Sequence, residues 1–378
     1  MTTVKTADVI VIGSGIVGNS CAYYCAQKGL SVIVLDEDIV GNGGSSRNGG
    51  GVRAFFRDPK EMPMAKYAID NIWPNLSEEL GVDIEYKQGG NFRLGIGEAE
   101  KEKLEALAQE GNAQGLSVEL MDKQRIKEFC PYVSDDVTNA AYCANDGHAN
   151  PLVTTLAFYR KNKALGVQYY TGEKVIKLGK HKEQIRSVIT ADGNLYEADH
   201  VIAAAGYETR DIVNTVGIDI PMNLYLLEAF VTETTPHLFD FMMGTAGSAF
   251  YGHQTKHGSF VFGGGSGFEV FNSGNINVNT TRQITAPSVI RGIMKYFPCL
   301  SELKIIRTWA GWTDHTKDGC AVIGPVEEVP GLLLAAGFTG HGFCMGPVVG
   351  KVMSELITGT EPCVEYKQLR YDRFTAKQ

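Results

Sequence analysis

The stretch ADVIVIGSGIVGNSCAYYCAQKGLSVIVLD, residues 7–36, decides the fold. Residues 7–12 are an apolar run closed by Gly13, the pattern of a parallel strand buried on both faces. Residues 16–27 read as a helix stopped by Gly29, and residues 30–35 as a second buried strand ending at Asp36. Strand, glycine turn, helix, strand and acid make one complete βαβ unit. Inside it, Gly13-Ser14-Gly15-Ile16-Val17-Gly18 has the spacing of a dinucleotide turn. Gly13 permits the tight turn, Gly15 lets backbone approach a pyrophosphate, and Gly18 lets helix and strand pack closely. The amides of the first helical turn, Ile16 and Val17 included, sit at the positive end of the helix dipole and suit phosphate charge. Asp36, followed by Glu37, can accept ribose hydroxyl hydrogen bonds, and an acid at this place disfavours a 2′-phosphate.

Outward from this unit, residues 41–51 (GNGGSSRNGGG) are too glycine-rich for a regular element. Residues 61–80 and 99–110 read as helices, and Asn150-Pro151 as the cap and first turn of a helix to about residue 164. Residues 201–205 (VIAAA), stopped by Gly206, and 332–336 (LLLAA), stopped by Gly337, are further buried strands, and a last helix is expected over about 346–357. Residues 84–96 and 220–270 alternate as antiparallel strands do. The fold class is therefore α/β: a Rossmann-like nucleotide domain assembled from residues 1–85, 146–215 and 305–378, with a second, antiparallel β-rich substrate domain from 86–145 and 216–304.

Composition narrows the function. The net charge of −8 and the lack of a basic block exclude nucleic acid as a main partner. No apolar run is long enough to span a membrane. The chain enters its first strand without a basic, apolar leader, so the expected location is cytoplasmic, with peripheral attachment to a membrane left open. The eight cysteines are scattered, with no metal-type spacing, and read as reduced thiols; no metal site is expected.

The fingerprint alone does not separate FAD from NAD. The later blocks do so by resemblance. In order they are Ser45-Ser46-Arg47-Asn48-Gly49-Gly50-Gly51, Asp146-Gly147-His148-Ala149-Asn150-Pro151, Val201-Ile202-Ala203-Ala204-Ala205-Gly206, Trp309-Ala310-Gly311, and Gly337-Phe338-Thr339-Gly340-His341-Gly342-Phe343. This series resembles the FAD-dependent amine and amino-acid oxidoreductases of the D-amino-acid oxidase type, over nearly the whole chain. The look is closest to the flavin β subunits of sarcosine oxidase and of dye-linked proline, hydroxyproline or opine dehydrogenases. The resemblance implies FAD, with Val175 meeting the adenine and residues 45–51 running along the pyrophosphate. It also implies Ala204 and Gly206 beside the cofactor, and the 337–343 loop leading the last helix toward the flavin N1–C2=O edge. Gly311 stands where a flavin-linking cysteine occurs in monomeric sarcosine oxidases, which implies noncovalent FAD. Thr313 stands where glycine and D-amino-acid oxidases carry an arginine, which turns the reading toward the sarcosine, proline and opine branch.

The implied reaction is oxidation of a C–N bond in a small amino acid or secondary amine. The implied partners are other subunits of a heteromeric complex or a quinone- or dye-type acceptor. Candidate substrate residues are Arg53, Tyr251, His253 and His341. Arginine suits a carboxylate because its fork binds both oxygens, and histidine titrates near neutral pH. A non-catalytic electron-transfer flavoprotein subunit and an NAD-dependent dehydrogenase are the alternative readings.

Overall fold

The computed structural model describes residues 4–271 and 280–375. The chain opens with β1 (Lys5–Ile12), α1 (Ile16–Gln27) and β2 (Val32–Asp36). It then leaves for a second sheet with β3 (Asn91–Gly95), β4 (Val118–Asp122) and β5 (Asn139–Cys143). It returns with α2 (Pro151–Ala164), β6 (Gln168–Thr171) and β7 (Leu195–Ala203), and departs again for β8 (Met222–Thr234), β9 (Met242–Thr245), β10 (Phe250–Gln254), β11 (Ser259–Gly264) and β12 (Ile305–Thr316). The last return is β13 (Val322–Pro325), β14 (Leu332–Ala336) and α3 (Gly342–Ile357).

The first sheet has the order β13-β14-β7-β1-β2-β6. All its neighbours are parallel except β13 on β14, and a hairpin of Val175–His181 and Gln184–Thr190 hangs on β7. From Val9 to Leu35 the strand residues are almost wholly buried, which is why their sequence is unbroken apolar rather than alternating. Helices α1 and α3 lie against each other because Gly350 has no side chain: a Cβ there would stand 2.4 Å from the carbonyl carbon of Ser20. The second sheet runs β8-β11-β10-β9-β3-β5-β4 and is antiparallel apart from the β9–β3 pair. Its core is phenylalanine-rich, with Phe92, Phe260 and Phe262 buried.

Four expectations are revised. The sequence pattern places residues 305–316 with the nucleotide segments, but β12 pairs with β8 along its length, from Met222↔Thr316 to Thr232↔Ile305. The strand meets the first sheet through a single backbone bridge, His315 to Phe338 just beyond β14, and through side chains, with Trp312 packing beside Tyr207. Secondly, the β9–β3 pair makes the second sheet mixed rather than antiparallel throughout. Thirdly, residues 61–80 are helical but not one regular helix: a π turn over Ala68–Ile72 and a 3₁₀ turn over Trp73–Asn75 interrupt it. Pro74 lacks the N–H that a continuing helix requires. Lastly, α3 begins at Gly342, four residues before the expected start, and carries Pro347 inside its second turn, where a proline removes only the bond to the Phe343 carbonyl.

Candidate cofactor groove and substrate site

The turn between β1 and α1 is shaped by what its glycines lack. Gly13 has φ of +101°, and a Cβ there would lie 2.4 Å from the Ala204 carbonyl oxygen. A Cβ on Gly18 would lie 2.0 Å from the Gly13 oxygen, so this glycine serves helix–strand contact and does not face the groove. Gly15 caps α1 without a side chain, and the Ile16 amide donates to Ser45 Oγ at 2.8 Å. Asp36 Oδ2 accepts from both the amide and the hydroxyl of Ser14, each at 2.6 Å, and Oδ1 accepts the Asp38 amide at 2.9 Å. Burial raises the Asp36 carboxyl despite these bonds.

A groove of about 410 Å³ runs from this turn along the edge of the first sheet. Gly13, Gly15, Ile16 and Val17 line its middle, with Ser45, Arg47 and Asn48 opposite. Asp36, Glu37, Val175, Ala204 and Gly206 line one end, and Gly340, Gly342 and Phe343 the other. At the first end Lys174 Nζ is held between Glu37 Oε2 (2.5 Å) and Glu208 Oε1 (3.1 Å), so the one lysine there is already neutralised and the wall is acidic. That wall accepts hydroxyls and repels a further phosphate. At the other end α3 presents its first amides, the positive end of a helix dipole. Strand β12 roofs the groove. Trp309 Nε1 donates to the Arg47 carbonyl at 2.9 Å, and the Arg47 side chain covers Gly311, where a Cβ would lie 2.9 Å from Arg47 Cδ. Trp312, which lines the groove, has a buried Nε1 without a partner among the described residues. An indole N–H without a partner among the described residues, the amides at the start of α3 and an acidic end that accepts hydroxyls are the donors and acceptors that suit FAD along its length.

The rest of the 45–51 loop turns away from the groove. Ser46 Oγ donates to the Gly43 carbonyl. Gly49 lies under the Tyr251 ring, where a Cβ would be 2.7 Å from Cε2. Gly50 takes φ of +75° against the Ala149 carbonyl, and Gly51 pairs with His148. Gly337 donates its amide to Asp314 Oδ2 at 2.7 Å, and burial pushes that carboxyl up to about 6.

Beyond Gly49 a second, cationic region begins. Arg53 Nη1 donates to the carbonyls of Phe55 (2.9 Å) and Phe56 (2.8 Å), and Arg57 Nε donates to the Arg53 carbonyl. This self-knitted turn holds Phe56 at φ of +65° with 45% of its surface exposed. The guanidinium of Arg93, from β3, sits 4.0 Å from the Phe56 ring centroid, and that of Arg53 sits 5.8 Å from it. Arg93 is buried, its Nη1 donates to the Thr245 carbonyl, and its Nε has no partner among the described residues. Burial, then the neighbouring cation, lowers Arg53 to about 10 and Arg93 to about 9, so both stay charged at neutral pH. Asp146 is the buried carboxylate beneath them, accepting Ala54 N at 2.7 Å and Asn91 Nδ2 at 3.1 Å. The Tyr251 ring crosses Gly49 and Gly263, is 37% exposed, and its hydroxyl makes no hydrogen bond among the described residues.

His341 caps α3 between the groove residues Gly340 and Gly342, with Nδ1 2.8 Å from Glu61 Oε2. His253 lies elsewhere. It is buried and stacked on His148 with centroids 3.9 Å apart, and burial leaves both rings neutral. Nothing ties it to the groove. Arg93, Phe56, Glu61 and Trp312 are functional candidates that the sequence pattern does not single out. Arg93 alone carries a signal, an arginine between Phe92 and Leu94 in the strand pattern of residues 84–96.

Among the described residues no group of three or more histidine, cysteine or acidic side chains could hold a metal, and no helix is long and apolar enough to cross a membrane. All eight cysteines are free thiols.

Comparison with known proteins agrees with this donor set. The chain is 26% identical over 370 residues to a subunit of the opine oxidase of Rhizobium meliloti, covering 92% of this chain and 95% of that one. It is also 26% identical to the beta subunit of sarcosine oxidase from Rhizobium meliloti (strain 1021), covering 97% and 88%. The crystal structure of L-proline dehydrogenase from P. horikoshii superposes with a TM-score of 0.91 at 28% identity, over 99% of both chains. The family described as DAO, FAD dependent oxidoreductase, matches residues 8–356. With a groove made for FAD and a match over nearly its whole length, this chain belongs to the DAO family of FAD-dependent oxidoreductases.

Proposed function

We propose that this protein oxidises the C–N bond of a small amino acid or secondary amine of the proline, hydroxyproline, sarcosine, glycine or opine type. We further infer that it works as the flavin β subunit of a heteromeric dehydrogenase, with FAD held noncovalently. Bound flavin supplies the oxidant, a hydride acceptor at N5. The chain's own residues bind and orient the substrate. The observation that carries the reading is the cationic region next to the groove, with the Arg53 and Arg93 guanidiniums 5.8 and 4.0 Å from the Phe56 ring centroid and the Tyr251 hydroxyl without a hydrogen bond among the described residues. Arg53, Arg57 and Arg93 outnumber the buried carboxylates Glu61 and Asp146, so the region is short of one negative charge. A substrate carboxylate provides it, with Arg93 Nε and the Tyr251 hydroxyl as donors. Phe56, held by its ring against both guanidiniums, covers this anchor from solvent. The imine product leaves or hydrolyses.

Noncovalent attachment is supported by Gly311, where the Arg47 side chain fills the space a linking residue would need. The heteromeric reading is supported by the names of the opine and sarcosine relatives, each called a subunit. The test is a visible spectrum of the purified protein followed by anaerobic addition of N-methyl amino acids, proline, hydroxyproline, glycine and opines. Bleaching of a flavin band by one of these is the expected outcome. A band that none of them bleaches contradicts the reading.

A further inference from the structure

Glu61 is wholly buried and no motif marks it. Its Oε1 accepts the Ala321 amide at 2.8 Å, and its Oε2 lies 2.8 Å from His341 Nδ1 and 3.6 Å from Arg57 Nη1. Burial pushes the carboxyl up, but the hydrogen bond from His341 and the charge of Arg57 oppose this, and the carboxyl is left lowered. A carboxylate only accepts, so the proton of the pair sits on His341 Nδ1. The groups facing the imidazole are Glu61, Arg57 and Arg53. Burial first, then the Arg57 charge, lowers His341 to about 4 against the opposing pull of Glu61. At neutral pH the ring is therefore neutral, with Nε2 a bare acceptor. Nε2 has no partner among the described residues, and the side chain keeps 20% of its surface exposed. His341 does not itself line the groove, although its chain neighbours Gly340 and Gly342 do, and its ring faces the arginine turn.

Removing a hydride from the carbon beside an amine needs the nitrogen lone pair. A hydrogen-bond donor aimed at the nitrogen would occupy that pair. An acceptor holds the amine by its N–H and leaves the pair free. We propose that His341, fixed by Glu61 as its Nδ1–H tautomer, presents Nε2 to accept the N–H of the neutral substrate amine, so that primary and secondary amines are oxidised in preference to tertiary ones. The N–H proton stays on nitrogen, and no atom passes to His341. Glu61 is a positioning residue in this arrangement. The inference rests on the amine-oxidising reading above.

Glu61→Gln tests it. The Ala321 amide needs an acceptor, so the Gln carbonyl turns toward it and the Gln NH₂ faces His341 Nδ1. Nδ1 must then accept, and the ring proton moves to Nε2. In ¹⁵N-histidine-labelled holoprotein, with the His341→Leu spectrum for assignment, His341 is expected to be protonated at Nδ1 in the wild type and at Nε2 in Glu61→Gln. Protonation of wild-type Nε2 overturns the inference without reference to turnover. Anaerobic flavin reduction is then compared for the best secondary amine and its N-methyl derivative. Glu61→Gln should lose about 30-fold on the secondary amine and little on the tertiary one, the size of a misdirected hydrogen bond. An unchanged secondary-to-tertiary ratio, at unchanged flavin content, overturns the proposal while leaving the amine-oxidising reading intact. Should Glu61→Gln lose its flavin, His341→Leu carries the comparison, and it must bring the two rates within about threefold. Failure of every amine to bleach the wild type overturns both.

Discussion

The glycine turn of the groove and the cationic region beyond it are built on different principles. The glycine turn comes from one continuous stretch, residues 7–36, and offers a ligand mainly backbone. The cationic region gathers Arg53, Glu61, Arg93, Tyr251 and His341 from separate parts of the chain and offers side chains. At the first, adding a methyl group is the damaging change. At the second, removing a charge or a hydroxyl is. The two should therefore fail differently, one by losing cofactor and fold, the other by losing substrate with the flavoprotein intact.

The largest effect is expected from Gly13→Ala. It combines strain at positive φ with a contact 2.4 Å from the Ala204 oxygen, about 3 kcal/mol or more in sum. Flavin absorbance per protein should collapse and the thermal midpoint fall. Full flavin content in this variant would remove the basis of the comparison. Arg93→Met should do the reverse, raising KM for a carboxylate-bearing amine by about 100-fold, equivalent to about 3 kcal/mol for a charged hydrogen-bonded contact. Flavin content should be unchanged, because methionine fills the buried volume and removes an unpartnered Nε. A substrate analogue without the carboxylate should be insensitive to the same change.

This division also explains what the sequence disclosed. The βαβ unit was legible because each glycine answers a local steric demand: Gly18 must clear the Gly13 oxygen, and Gly15 must clear Ser45. Spacing along the chain records such demands. Glu61 and His341 are brought together from 280 residues apart by the packing of the 57–61 turn against the start of α3, and no spacing records that. His253 was attractive because it lies on the same strand as Tyr251. Strand alternation puts residues two apart on one face, yet Gly49 and Gly263 make room for the Tyr251 ring while His253 is covered by His148. Strand β12 misled for a related reason. Trp312, Thr313 and Asp314 line the cofactor groove, so its pattern resembles a nucleotide-domain segment, while its ladder of backbone bonds belongs to β8.

A smaller effect is expected from pH. Asp146, beneath the arginine turn, is raised by burial to about 6, against a usual carboxylate value of about 4. The folded chain therefore binds the extra proton between these values. The stability this contributes is fully present below about pH 4 and is lost as pH rises through about 6. The stability of the wild type relative to Asp146→Asn should fall by about 2 kcal/mol between pH 4 and pH 7. A constant difference in denaturant midpoints would show that the turn is not strained by this charge. The smallest effect is expected from Tyr251→Phe, which removes only the unspent hydroxyl. Substrate affinity should fall about fivefold, near 1 kcal/mol, with no change in flavin spectrum or melting.

The central claim is that the cofactor groove adjoins a carboxylate anchor in which Arg93 and Tyr251 are the donors and Arg53 supplies a neighbouring charge and holds the turn. It is tested most directly by titrating the holoprotein with pyrrole-2-carboxylate, a planar, non-oxidisable amino-acid analogue, while following the flavin band. A saturable perturbation is predicted in the wild type, and its loss in both Arg53→Met and Arg93→Met at undiminished flavin content. A perturbation of equal affinity in all three proteins would contradict the account.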